Sequence, residues 1–192
     1  MNKEKTSGFI VTTMKVLRQP ESFWSMQRQS ILFELLKYSF LLGFFPFAGY
    51  LVNYTIRGTI WNVWPFVHTT LDVGSGLVFA GLQWIFFSIF PALSSLILDM
   101  LTSKWRGRIR FEDSVMITTY SLTPLCLALL FVGVPYFDRI FTTLGFFTFL
   151  FLLYSGFRIE LNFTIARSLS VTLIVFILFA LIRQMFVFAI GY

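Results

Sequence analysis

The sequence predicts an all-α, polytopic membrane protein: a bundle of five transmembrane helices behind a short amphipathic N-terminal segment. Three observations predict it. The chain is 57% hydrophobic and only 12% charged, where a soluble domain carries about 25% charged residues. Its 26 phenylalanines exceed what a core of 192 residues can hide, so lipid must solvate many of them. The apolar residues also fall into runs long enough to cross a hydrocarbon core about 30 Å thick, which takes roughly 20 residues each.

Residues 1–30 are polar and basic, and the first long apolar run begins only at Ile31. That is too late and too long for a cleaved secretory signal, whose apolar region has ~7–15 residues. In "FIVTTMKVLRQPESFWSMQRQ", Ile10, Met14 and Leu17 share one helical face, with Lys15 and Arg18 off it. Pro20 suits the first turn of a second short helix, where its missing N–H costs nothing. The pattern predicts a helix lying on the membrane surface, with Phe23 and Trp24 dipping into the head-group region and Arg28 reaching lipid phosphate.

Residues 31–192 form the transmembrane domain, with spans at about 31–52, 73–98, 114–136, 140–157 and 164–187. The first holds Pro46 within "GFFPFAG", and Glu34 and Lys37 near its start can pair across one turn. The loop "NYTIRGTIWNVWPFVHTTLD" follows. Trp61 and Trp64 flank Pro65 there, and such residues favour the bilayer–water boundary. The second span holds Pro91 within "SIFPALSSL" and ends at Asp99, which can pair with Lys104 or Arg106 of the basic loop "TSKWRGRIR". In that loop Lys104, Trp105, Arg106, Arg108 and Arg110 are expected to meet anionic lipid head groups.

The third span, "TTYSLTPLCLALLFVGVPYF" with its lead-in from Ser114, carries no charge but many hydroxyls and two prolines. In a bilayer every backbone polar group must find a partner inside the protein, and proline is tolerated where side chains make good the lost bond. Pro124 is expected to free the carbonyl of Tyr120 and kink the helix. Thr118, Thr119, Ser121 and Thr123 are expected to bond to carbonyls nearby, and Tyr120 to mark the opening of the bend. Pro135, with Asp138 and Arg139, ends the span in a tight turn, so spans three and four form an antiparallel hairpin. Small residues such as Gly43, Gly49 and Gly145 let helices approach closely. In the fifth span Arg183 is expected to snorkel to the outer surface.

Lysine and arginine concentrate in the first thirty residues, in the second loop and, as Arg158 and Arg167, in the fourth. Such loops tend to stay cytoplasmic, which puts the N-terminus inside and the C-terminus outside. Basic loops beside a membrane also account for the net charge of +6 without any nucleic-acid partner. Cys126 is the single cysteine and His68 the single histidine, so neither supplies a metal cluster. No catalytic, metal-binding or cofactor-binding residues are expected, and no cofactor. The leading function class is a non-enzymatic membrane adaptor or organiser acting through helix–helix, lipid and protein-partner contacts, with a membrane protein or a second copy as partner. The alternative is a transporter, or an accessory subunit of one, with a path along the kinked third span.

The combination of "LRQPESFW", a basic loop, "YSLTPLCLALLFVGVPYF" and "FFTFLFLLYSGFRI" resembles the Yip-one domain family of five-span membrane proteins, the Ypt/Rab interactors. Tyr120, Pro124, Pro135, Tyr154 and Gly156 fall where that family's pattern has them. The resemblance implies a five-helix bundle with a cytoplasmic N-terminus. Its eukaryotic members act in traffic between the ER and the Golgi and bind prenylated small GTPases. This chain lacks the long N-terminal region of those members, which argues against GTPase binding. It looks more like the small bacterial branch, which implies the bacterial cytoplasmic membrane rather than the ER or Golgi.

Overall fold

The computed structural model describes residues 8–20, 23–24, 32–57, 73–103, 109–132, 134 and 137–188. Arg28, Lys104, Trp105, Arg106, Arg108 and Pro135 lie outside them, as does the loop bearing Trp61, Trp64, Pro65 and His68. Every regular element among the described residues is an α-helix. A ten-residue helix, α1 (Phe9–Arg18), precedes the long apolar helices α2 (Leu32–Arg57) and α3 (Val73–Thr102). Two short helices follow, α4 (Phe111–Ser121) and α5 (Thr123–Leu129), then two long ones, α6 (Phe137–Ile159) and α7 (Ile165–Phe188).

Four stretches are long and apolar enough to cross a membrane: Leu32–Asn53, Gly76–Thr102, Phe137–Ile159 and Ile165–Met185. The chain is a multi-pass integral membrane protein, and its surface agrees. Phe33, Phe40, Phe44, Leu144, Phe147, Phe151, Leu173 and Leu181 all face outward. Apolar surface of that extent costs about 25 cal/mol per Å² in water and nothing in lipid. Inside, Phe86, Phe90 and Phe149 surround Phe179, with ring centroids 5.3, 5.2 and 5.6 Å away. Glu34 and Lys37 pair at 4.0 Å on an exposed face, an arrangement that contributes little to stability.

The expected third span is not one kinked helix. The chain divides at Leu122, between α4 and α5, and Pro124 sits in the first turn of α5, where a missing N–H is harmless. Leu122 itself keeps right-handed helical angles, φ −68° and ψ −17°. The Leu122 N–H donates to the Thr118 carbonyl at 3.1 Å and the Cys126 N–H to the Leu122 carbonyl at 2.9 Å. Pro124 therefore sits in the first turn of a second helix, joined to the first through the helical angles of Leu122.

The least apolar helix is largely enclosed. Residues Ser114 through Ser121 of α4 are all buried, because α1, α2, α3 and α6 all pack against it. Close approach depends on glycine at two places. A Cβ on Gly49 would collide with the Leu129 backbone, and one on Gly145 would meet the Pro124 carbonyl at 2.9 Å and the Ala128 methyl. These glycines let α2 and α6 lie directly on α5.

The other two prolines leave their helices continuous. Pro91 removes the donor that the Phe87 carbonyl would otherwise have. The replacement comes from a neighbouring helix: the Ser39 hydroxyl of α2 lies 3.2 Å from the Phe87 carbonyl and 2.9 Å from that of Ser88. Ser94, closer in sequence, bonds instead to the Pro91 carbonyl at 3.2 Å. Ser39→Ala is expected to cost about 0.6–1.7 kcal/mol, the range measured for interhelical bonds in membranes. In a Pro91→Ala background, where an N–H is restored, it should cost less. A double-mutant cycle on unfolding in detergent reads the coupling, and additive losses would show that Ser39 does not serve the proline.

A sealed aromatic and hydroxyl site at the N-terminal end

Six residues into α2, Tyr38 projects toward the start of α5. Its hydroxyl lies 2.9 Å from Thr13 Oγ1 and 3.1 Å from Thr123 Oγ1. The Thr13 hydroxyl donates its one hydrogen to the Phe9 carbonyl, 2.9 Å away, so it accepts from Tyr38. Tyr38 has then used its own hydrogen and accepts from Thr123, since each hydroxyl has a single hydrogen to give. The bonds run in one direction, from Thr123 of α5 through Tyr38 of α2 to Thr13 of α1. A helix outside the bundle is thereby tied to two within it.

Tyr120 is enclosed beside this chain of hydroxyls. Its ring lies 5.0 Å from that of Tyr38 and 4.8 Å, edge-on, from Phe23. Trp24 closes the group, 5.3 Å from Phe23 and 6.4 Å from Tyr120. Here the expected head-group contact is corrected: Trp24 is wholly buried and Phe23 nearly so. The physical reason is Gly156. A Cβ there would meet the Trp24 ring at 3.2 Å and Ile117 at 2.7 Å, so glycine leaves room for the indole between α4 and α6. Tyr120 thus does not open onto a cavity, because aromatic rings from the N-terminal segment fill the space.

Helix α1 docks by Thr12, Thr13 and Val16, which are buried, while Phe9 rests 4.9 Å from Tyr38 and 6.0 Å from Phe45. The expected face is present and turned outward: Ile10, Met14 and Leu17 are exposed, as is Val11. Lys15 and Arg18 lie in its last turn, where cations favour the helix dipole. The same end of the bundle carries Arg110, Arg158 and Arg167. Arg158 donates to the Tyr154 hydroxyl at 3.2 Å, and the Arg167 guanidinium sits 3.9 Å from the Phe163 ring. Asp99 is half-buried near the end of α3, and its expected partners lie outside the described residues.

Two further expectations are corrected. The hydroxyls of Thr118, Thr119 and Ser121 bond to no carbonyl, and with Ser114 they are buried without a hydrogen-bond partner among the described residues. The Thr118 and Leu122 carbonyls accept backbone N–H groups across the division, and of this cluster Thr123 bonds to Tyr38. Arg183 does not snorkel. It is buried, and its guanidinium donates to the Tyr50 hydroxyl at 3.3 Å. Tyr38, Thr13, Ser39 and Tyr50 were not singled out by spacing. The available signal was that each is polar within, or beside, an apolar run, where a polar group needs a named partner. Among the described residues no group of three or more His, Cys, Asp or Glu could hold a metal ion.

A model of the Yip1 domain family matches residues 14–185. No curated protein and no solved structure matches the chain.

Proposed function

Because the chain belongs to the Yip1 domain family, we propose that it is a non-enzymatic organiser of its membrane, working through contacts with lipid and with a membrane protein or a second copy. The observation that carries this reading is α1. It is held on the bundle by Thr13 and Val16 and turns Ile10, Val11, Met14 and Leu17 away from it. A strip of that kind, with Lys15 and Arg18 beside it, serves as a contact surface at the bilayer boundary. The enclosed state of the α4 hydroxyls disfavours transport, since they line no path that a solute could follow.

The chain crosses five times in this reading. Residues 111–129 make α4 and α5, roughly 28 Å of nearly continuous helix at 1.5 Å per residue, enough for a fifth crossing. Arg110, Arg158, Arg167, Lys15 and Arg18 then face the cytoplasm by the positive-inside rule, with the C-terminus outside, as in a bacterial cytoplasmic membrane. Lys104, Arg106 and Arg108 add to the same side and meet anionic head groups.

A photo-crosslinking residue at Met14, in native membranes, is expected to capture a discrete protein adduct that the same probe at Val16 does not. Solute flux catalysed by the purified chain alone in liposomes would overturn the reading and favour a transporter.

A further inference from the structure

At the end of the bundle away from α1, Tyr50 of α2, Arg183 of α7, and Asp138 and Thr142 of α6 line one cavity, with Val132 and Phe179 in its wall. Tyr50 lies twelve residues beyond Tyr38 along α2, roughly 18 Å at 1.5 Å per residue, so the cavity is far from the Tyr38 site. The four polar side chains form two pairs. Arg183 donates to the Tyr50 hydroxyl at 3.3 Å, which joins α7 to α2. Asp138 and Thr142 stand one turn apart on α6, where side chains share a face.

The bonds already made leave particular atoms on that cavity to be satisfied. Asp138 Oδ1 accepts from the Arg139 N–H at 2.7 Å, while Oδ2 accepts from no described residue. The Thr142 hydroxyl does not bond to the carbonyl one turn behind it, whereas Thr148 and Ser170 both do, at 2.8 and 3.0 Å. Tyr50, having accepted from Arg183, still has its one hydroxyl hydrogen to give. Arg183 takes part through this one N–H, and its further contacts are undisturbed.

Size and chemistry together identify the occupant. The cavity measures about 20 Å³, which is room for one water. A buried water needs roughly two to four polar partners, and Tyr50, Asp138 and Thr142 supply three. Arg183 and Asp138 bring one charge of each sign, so a neutral occupant suits the lining.

We propose that a single ordered water occupies this cavity, accepting from Tyr50 and donating to Asp138 Oδ2 and Thr142 Oγ1. The bonds then run one way, from Arg183 through Tyr50 and the water to Asp138, and tie α6 to the α2–α7 pair. The cavity lies apart from the α1 strip, so the organiser reading neither supports nor weakens it.

Water-edited solid-state NMR of the protein in lipid bilayers, with tyrosine and threonine labelled, tests it. The Tyr50 and Thr142 side chains are expected to receive magnetisation from water. Tyr38, whose hydroxyl is engaged by Thr13 and Thr123, is not. Thr142→Val keeps the shape and removes one partner. Tyr50 should then lose its transfer, and the melting temperature should fall by about 2–4 °C, the scale of one hydrogen bond in a chain of this size. Val132→Ile adds a methylene to the wall. In a dry cavity it would raise the melting temperature, but where it displaces a bonded water it should lower it by a similar amount. Combined with Thr142→Val it should add little, because both changes remove the same water. The proposal is overturned if wild-type Tyr50 receives no more than Tyr38, if Val132→Ile stabilises, or if the two losses add. It is equally overturned if Tyr50 keeps its transfer in Thr142→Val, which would mark open solvent rather than a held water.

Discussion

Gly49→Leu is expected to cost about 3 kcal/mol or more, the upper range for overpacking a tight core. The first added atom already collides with the Leu129 backbone, which cannot rotate away as a side chain can. Relief requires α2 to move off α5, and α2 also carries Tyr38 and Ser39, so the hydroxyl chain to Thr13 and the bond to Phe87 would loosen with it. The control is Gly81→Leu on α3, where an added Cβ meets nothing within 4 Å. In lipid or mild detergent that variant should unfold at the wild-type temperature or slightly above, since leucine is the better helix former. Equal thermal stability of the two variants would refute the close packing of α2 on α5.

Trp24→Ala should be nearly as damaging, but locally. Truncating a buried tryptophan typically costs 3–5 kcal/mol, and here the cavity would open beside Tyr120, Phe23 and Gly156. The bundle proper keeps its aromatic core around Phe179, so the expected result is release of the N-terminal segment rather than collapse. Trypsin reads this directly, because Lys15 and Arg18 are exposed but lie in a docked helix. Cleavage at them should accelerate by about a hundredfold, taking tenfold per 1.4 kcal/mol. Trp24→Phe should fall between wild type and Trp24→Ala. Unchanged cleavage in Trp24→Ala would mean that the indole does not hold the segment down.

These two effects bear on what was legible in the amino-acid order. The long apolar stretches could be read directly, because crossing lipid demands continuous hydrophobicity and the ends of α2, α3, α6 and α7 follow it closely. The outward face of α1 was legible too, since Ile10, Met14 and Leu17 recur at helical spacing. Which residues point into the bundle was not. In water an apolar stripe marks the buried side, but in a bilayer both lipid and core are apolar, so hydropathy does not say where Trp24 or Phe23 goes. Proline partners were hidden for another reason. Ser39 lies 48 residues from Phe87 in the chain, and local searching finds Ser88 and Ser94 first. Thr118, Thr119 and Ser121 invited the opposite error, because nearness to Pro124 implied carbonyl partners that their hydroxyls do not have.

The enclosure of α4 has a consequence for how the protein is made. A ribosome delivers the helices in order, and α4 emerges with Glu112, Asp113 and a run of hydroxyls before α6 exists to cover it. Such a segment gains less from bare lipid than its apolar neighbours, since its hydroxyls need partners that lipid does not supply. Helices α2 and α3 are already in place at that moment and offer one side of the eventual seat. The other side arrives only when α6 folds back beside α5, with Gly145 against Pro124. Membrane insertion of the middle of this chain is thus a cooperative event between neighbours, and a stall between residues 129 and 145 would leave α4 without its cover.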